Sequence, residues 1–419
     1  MNLLENMPKS GVKSEIRILT ASICLLTPVF YYPLEMVKST GAIAQFFLII
    51  NLCLLQLFGA TSNALAEGMP IKLSVTTIET PMLQILGPNG ERGAAIAKLS
   101  DSKLLVGGGG DGSKLFLYDL LSKQEQFIGR VIPVNERMND SRFSIIDIAV
   151  LSKVKSKATV LISYPIYRKS SKCVVVNLAA FELTLSDKPT LSKIKNWFTS
   201  KPCVPISAVH HAAGRLEVID KQSAYLTIGD LGYSKIGNRS ARGDLGSVFK
   251  VSGSGVEKIS SGHRNQQGIV LIGSDLYTAE HGPRGGDELN LIKKGVDYGW
   301  PFVTFGQAYS NGDYVKPINP GTHDGYQPPL HYWVPSVAPT ELVQLPTNSS
   351  WAEWSSQLVM ATLKEEALIF IQLTSKSTVG EVVKVDVGER VRDLEILSDG
   401  RLVATTDSGK LLLINRAVN

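Results

Sequence analysis

The residues best able to do chemistry gather in three short stretches: Gly262 to Gly268 (GHRNQQG), Thr278 to Ile292 (TAEHGPRGGDELNLI) and Asp297 to Phe305 (DYGWPFVTF). Glycine and proline at this density make loops with exposed carbonyls and amides. Glu280, His281, Arg284, Asp287 and Glu288 make those loops polar. Backbone oxygens and carboxylates of this kind suit a hard cation such as calcium. A network of turns held by salt bridges accounts for the same composition, so on composition alone both readings stand.

Loops of this kind need a rigid frame. From Glu67 onward the chain carries short runs rich in Val, Ile, Leu, Thr and Tyr, broken by Gly, Asp, Asn and Ser, with little sustained helical periodicity. That is an all-β pattern. Ala94 to Leu120 and Val391 to Arg416 resemble each other, each reading as three strands and two turns. Looser copies lie at Ile145 to Leu185, Ala213 to Val251, Gly268 to Ile292 and Val337 to Leu373. Such units cannot bury both faces alone, and a ring of four-stranded antiparallel blades solves the problem. The pattern predicts a six-bladed β-propeller over 67–419, at roughly sixty residues per blade, above the size of the commonest repeats. The surplus falls in loops, notably Gly282 to Gly286 and Tyr309 to Tyr332. Loops from several blades at one mouth of the channel are where a site is built.

Residues 1–66 read differently. Lys38 followed by the apolar run Ile43 to Leu57 and by Ala64-Leu65-Ala66 has the order of a signal peptide, with Met36 as an alternative start; an uncleaved membrane anchor, or two short spans, is the competing reading. Either places the folded part outside the cytoplasm, periplasmic or secreted, with membrane contact only through an uncleaved leader. Of four cysteines, Cys173 and Cys203 lie beyond the leader; export invites a disulfide, and two separate buried thiols are the alternative. The net charge of +5 comes from scattered basic residues, not long runs, and gives no case for nucleic acid.

The three loop stretches closely resemble the glucose/sorbosone dehydrogenase family, soluble aldose dehydrogenases that use pyrroloquinoline quinone (PQQ). The likeness runs in order from about Ser144 to Asn415, and the family fold is a six-bladed propeller. The stretch His211 to Gly232 is similar to the family segment that holds the catalytic base. By that resemblance His211, and not the adjacent His210, is the base and Asp230 the carboxylate that orients it. A neutral imidazole can take a hydroxyl proton, and a carboxylate steadies the imidazolium. Arg264 and Asn265 match cofactor-contacting positions, with Arg264 beside the quinone carbonyl. Lys364, Arg390 and Arg392 match a cationic clamp for the cofactor's carboxylates, with alternation placing the two arginines on one face. Ser336 falls where the family uses a hydroxyl, and His281 faces the quinone. The resemblance assigns the activating calcium to main-chain oxygens of Gly282 and Pro283. Glu280 is a candidate for a second calcium, with an ion pair to Arg284 as the alternative.

Two positions depart from the family pattern: Arg142 stands where a glutamine donor is usual, and His210 where an acidic residue is common. The implied reaction is oxidation of an aldose at its anomeric hydroxyl to the lactone, with electrons passed from PQQ to an unidentified respiratory acceptor. Arg142 favours the alternative of an exported propeller that binds a glycan or a protein and has lost PQQ.

Overall fold

The computed structural model describes residues 71–310 and 314–417; the proposed leader, 1–66, lies outside them. Six sheets of antiparallel strands form the blades of a propeller. Blade 1 begins with Ala95–Lys98, blade 2 with Asp147–Val154, blade 3 with Ala213–Asp220, blade 4 with Gln266–Ile272, blade 5 with Pro339–Gln344 and blade 6 with Val391–Ile396. These first strands lie side by side around the axis, each adjoining the first strands of the two neighbouring blades. The six repeats seen in the sequence are these six blades.

Packing explains why the ring forms. Each blade junction holds its own apolar cluster: Leu105 of blade 1 packs with Ile162 of blade 2, Leu161 of blade 2 with Leu226 of blade 3, and Val248 of blade 3 with Ile269 of blade 4. Tyr277 of blade 4 meets Met360 of blade 5, Phe370 of blade 5 meets Leu402 of blade 6, and Val403 of blade 6 meets Val106 of blade 1. Inner strands are therefore apolar on both faces, as in Leu358–Thr362, buried throughout, whereas no residue of the outer strand Thr378–Asp386 is more than half-buried.

The ring is closed by exchange between the chain's two ends. Leu73–Glu79 supplies the fourth strand of blade 6, antiparallel to Lys410–Arg416, with Leu73 opposite Arg416 and Glu79 opposite Lys410. Blade 2 is the irregular member. Its long strands Lys157–Arg168 and Cys173–Thr184 form a hairpin whose outer edge is divided among Thr190–Leu191, Lys195–Thr199 and Val204–Pro205. Cys173 and Cys203 form a disulfide with Cα atoms 5.5 Å apart, settling the choice in favour of the bridge.

Among the described residues no helix is long and apolar enough to cross a membrane. The segments that enter the first strands of blades 1, 2, 3, 4 and 6 line one cavity at a mouth of the channel, and most of the candidate residues lie there or next to it.

Candidate active site

His211 ends a single 3-10 turn, Val209–His211, immediately before blade 3. Ala213 then takes a left-handed conformation, φ 55°, which turns the chain into the strand; its N–H is held by Asn265 Oδ1 at 3.2 Å. A non-glycine residue there costs about 1–2 kcal/mol, so the surrounding contacts must fix the turn. Gly229 permits the close approach, because a Cβ at that position would collide with the His211 carbonyl.

The imidazole is gripped from both sides. His211 Nδ1 lies 2.9 Å from Asp230 Oδ1, and Nε2 lies 3.2 Å from Arg264 Nη2. A guanidinium can only donate and a carboxylate can only accept, so the proton is on Nδ1 and Nε2 presents a lone pair. Burial, followed by the charge of Arg264, lowers the His211 pKa to about 4, with Asp230 opposing the shift. The ring is therefore neutral at pH 7. Burial alone would raise the Asp230 carboxyl, but His211 and Arg264 outweigh it and hold the group below its usual range. Asp230 is fixed further by the Gly232 N–H (2.8 Å) and by Trp300 Nε1, which donates to Oδ2 at 2.9 Å. The same indole lies under Arg264, with the guanidinium carbon 5.5 Å from its centroid. One tryptophan thus steadies both groups that flank the histidine.

His211 opens onto a cavity of about 840 Å³ shared with Arg264, Asn265, His281, Arg142, Arg390 and Arg392. Arg390 Nε and both arms of Arg392 converge on the Asp407 carboxylate at 2.8 to 3.1 Å, so the two arginines do come to one place. Arg142 is paired through two nitrogens with Asp140, and that contact raises its pKa. His210 lies edge-on to His211 at 4.4 Å, and burial together with His211 and nearby arginines lowers its pKa to about 3. Asn265 also accepts from Gln267 Nε2 at 2.9 Å, and His281 Nε2 is 2.6 Å from the Pro339 carbonyl.

Other predicted residues stand behind or beside the cavity. Asp230 is behind the histidine. Ser336 Oγ donates to Asp287 Oδ2 (2.7 Å), a carboxylate that also accepts from the backbones of Gly282, Val337 and Ala338. Lys364 is exposed and absent from the lining, although its neighbour Leu363 contributes to it. Gly282 sits in a carbonyl-rich turn, where a Cβ would strike the oxygens of Gly285 and Gly286; the Pro283 carbonyl accepts from Tyr309 Oη at 3.3 Å. Glu280 turns inward to the Arg264 N–H (3.2 Å) and Asn290 Nδ2 (3.1 Å), in place of the alternative pairing with Arg284.

Sequence reading missed Arg92, Asp407, Tyr314 and Trp300. Arg92 lines the cavity with its Nε buried and unpartnered; burial and the charges of Arg392 and Arg215 push its pKa down to about 9. Tyr314 stacks on His211 at 5.3 Å. Trp300 lies in the stretch Asp297 to Phe305, but nothing in the sequence tied it to Asp230.

A propeller whose mouth holds a neutral, carboxylate-backed histidine in an arginine-rich cavity is built for an anionic partner next to a proton acceptor. The chain belongs to the glucose/sorbosone dehydrogenase family, whose model matches residues 94–414. It is 30% identical over 245 residues to the aldose sugar dehydrogenase YliI of Escherichia coli K12, covering 54% of this chain and 66% of that one. It is 30% identical over 142 residues to quinoprotein glucose dehydrogenase B of Acinetobacter calcoaceticus, covering 25% and 30%. An uncharacterized Synechocystis protein is 35% identical over 158 residues, 36% of this chain and 37% of its own. The matches thus span between about a third and just under two thirds of these relatives. Among solved structures, soluble aldose sugar dehydrogenase from E. coli in its apo form superposes with a TM-score of 0.68 at 22% identity, covering 83% of this chain and 100% of that one. The PQQ-bound aldose sugar dehydrogenase of Streptomyces coelicolor gives 0.60 at 21%, covering 83% and 99%. At such identities the superpositions show the shared fold.

Proposed function

We propose that the protein is an exported, calcium-assisted, PQQ-dependent dehydrogenase that oxidises an aldose at its anomeric hydroxyl to the lactone. The observation that carries this is the lone pair of His211 Nε2 at the wall of a cavity lined by Arg92, Arg142, Arg264, Arg390 and Arg392. An acidic quinone fits that donor set: arginine forks match carboxylates, and the unpartnered Arg92 Nε is a buried donor in want of an acceptor. The carbonyl-rich turn at Gly282 and Pro283 offers the oxygen donors a calcium ion takes. PQQ bound there would supply the two-electron acceptor for the anomeric hydride, with calcium as a Lewis acid on it.

The chain's own residues do the rest. The sugar hydroxyl displaces Arg264 from Nε2, His211 takes its proton, and Asp230 stabilises the imidazolium through Nδ1–H. Trp300 keeps Asp230 and Arg264 in register. Glu280 and a second calcium, and Ser336 and Lys364 as cofactor contacts, remain part of the proposal through the family resemblance. The leader pattern and the disulfide support a periplasmic or secreted location. A propeller that binds glycan without PQQ is the second reading, favoured by the capture of Arg142 by Asp140.

The test is to load purified protein with PQQ and calcium and follow dye reduction across a panel of aldoses. Saturable, calcium-dependent turnover is the expected result. Saturable sugar binding with no dye reduction would select the second reading.

A further inference from the structure

A second cavity, of about 630 Å³, lies on blade 2, within the range usual for ligand sites. The pairing of Asp147 with Ser163 carries Tyr164 to Arg168 past the start of the inner strand, at the end of the propeller where the catalytic cavity opens. A single segment divides the two: Asn135 and Glu136 face the blade 2 cavity, and Ser141 and Arg142 face the catalytic one. The dividing segment is braced: Arg137 Nε donates to the Phe143 carbonyl at 3.1 Å, and the Phe143 ring meets Tyr167 edge-on, 6.3 Å away.

The lining is amide, hydroxyl and ring: Asn135, Tyr164, Tyr167, Asn177, Asn196 and Thr199. The polar groups are ordered from beneath. Thr199 Oγ1 donates to Asn177 Oδ1 (2.7 Å), and Asn177 Nδ2 donates to the Tyr164 hydroxyl (3.0 Å). A phenol that accepts in this way still has its own proton to give. Planar amides suit vicinal diols, and aromatic rings suit the C–H faces of pyranoses. Glu136 offsets one of Arg168 and Lys169, leaving a single net positive charge beside a lining that is otherwise uncharged.

We propose that this groove binds further units of an oligosaccharide whose reducing end occupies the catalytic cavity. The statement about the reducing end rests on the dehydrogenase reading; binding in the groove does not.

Two measurements separate these claims. In the first, the full chain without PQQ is titrated by calorimetry with a panel of α- and β-linked glucotetraoses, using wild type, Tyr167→Ala and the exposed-site double variant Asn135→Ala/Ser170→Ala. Saturable binding of at least one tetraose, weakened about tenfold in the double variant by loss of hydrogen-bond partners, is expected. No binding of any tetraose, or binding unchanged in both variants, overturns the groove even if glucose is oxidised. In the second, the PQQ-loaded enzyme is assayed on the bound tetraose and on glucose. The double variant should raise KM about tenfold for the tetraose alone; equal effects on both sugars overturn the oligosaccharide assignment. Tetraose binding without dye reduction sinks the enzyme reading and leaves the groove in place.

Discussion

Two arginine–carboxylate assemblies occupy the axis of this propeller, and they are put together in opposite ways. In the channel, Arg215 of blade 3 lies 3.0 Å from Glu341, 3.2 Å from Asp393 and 3.9 Å from Asp147, drawn from blades 5, 6 and 2. Its remaining donors go to the Gln267 and Arg392 carbonyls, and the carboxylates bind the Leu216 and Ile96 N–H groups. Those three carboxylates have the spacing of a metal site, but they already hold their cation. At the mouth the count is reversed. Arg390 and Arg392 share the single Asp407, and Arg92 keeps a buried nitrogen without a partner. The same residue types thus make a bolt across the ring in one place, where burial raises all three carboxyl groups above their usual range, and an arginine-rich cavity with a spare buried donor in the other.

The contrast can be broken from either side. The largest effect is expected for His211→Ala, which should lower kcat by about 10²–10⁴-fold while thermal unfolding and PQQ affinity change little. Loss of cofactor binding with turnover per bound PQQ preserved would reverse the assigned roles. Next comes Arg215→Met, which strips the cation from three buried carboxylates and should cost about 3–5 kcal/mol in urea unfolding. The protein that remains folded should keep its KM for sugar. Smaller again, Arg392→Ala should weaken PQQ binding about tenfold, and an unchanged affinity would move the clamp elsewhere.

The pH dependence sharpens the same comparison. Because the His211 pKa is lowered to about 4, kcat/KM should stay flat from pH 7 down to about 5 and fall only below that. An acid limb near 6.5 would contradict the buried, arginine-flanked environment. The last expectation concerns stability. Burial raises Glu217 and Glu395, in the inner strands of blades 3 and 6, from 4.5 to about 7. Raised carboxyl pKa values stabilise the fold fully below about 4.5, and the benefit is lost as pH climbs through 7. His210 and His211, lowered to about 3 and 4 from 6.5, pull stability the opposite way over most of that interval, so the expectation concerns the difference between two proteins: relative to wild type, Glu395→Gln should gain in melting temperature as pH rises from about 4.5 to 7.

Much of this architecture was legible in the sequence because repeats and local spacing are local properties. The copies at Ala94 to Leu120 and Val391 to Arg416 show two of the blades directly. His211 and Asp230 were found together through a contiguous stretch that resembles the family. What escaped was pairing across the ring. Leu73–Glu79 joins the last blade from the far end of the chain. Trp300 reaches Asp230 across 70 positions, and Arg215 meets Asp393 across 178. No periodicity records such contacts, since the blades bring them together only when the ring closes. Lys364 shows the converse: its sequence context placed it in the clamp, yet the chain leaves it exposed beside the cavity.

The most direct measurement is equilibrium titration of PQQ, with calcium, into wild type, His211→Ala and the double variant Arg390→Ala/Arg392→Ala, followed by quinone absorbance. Saturable binding to the first two and its loss in the third is the predicted result. Wild type that fails to bind, or a double variant that binds as tightly as wild type, would contradict a cofactor cavity at this mouth.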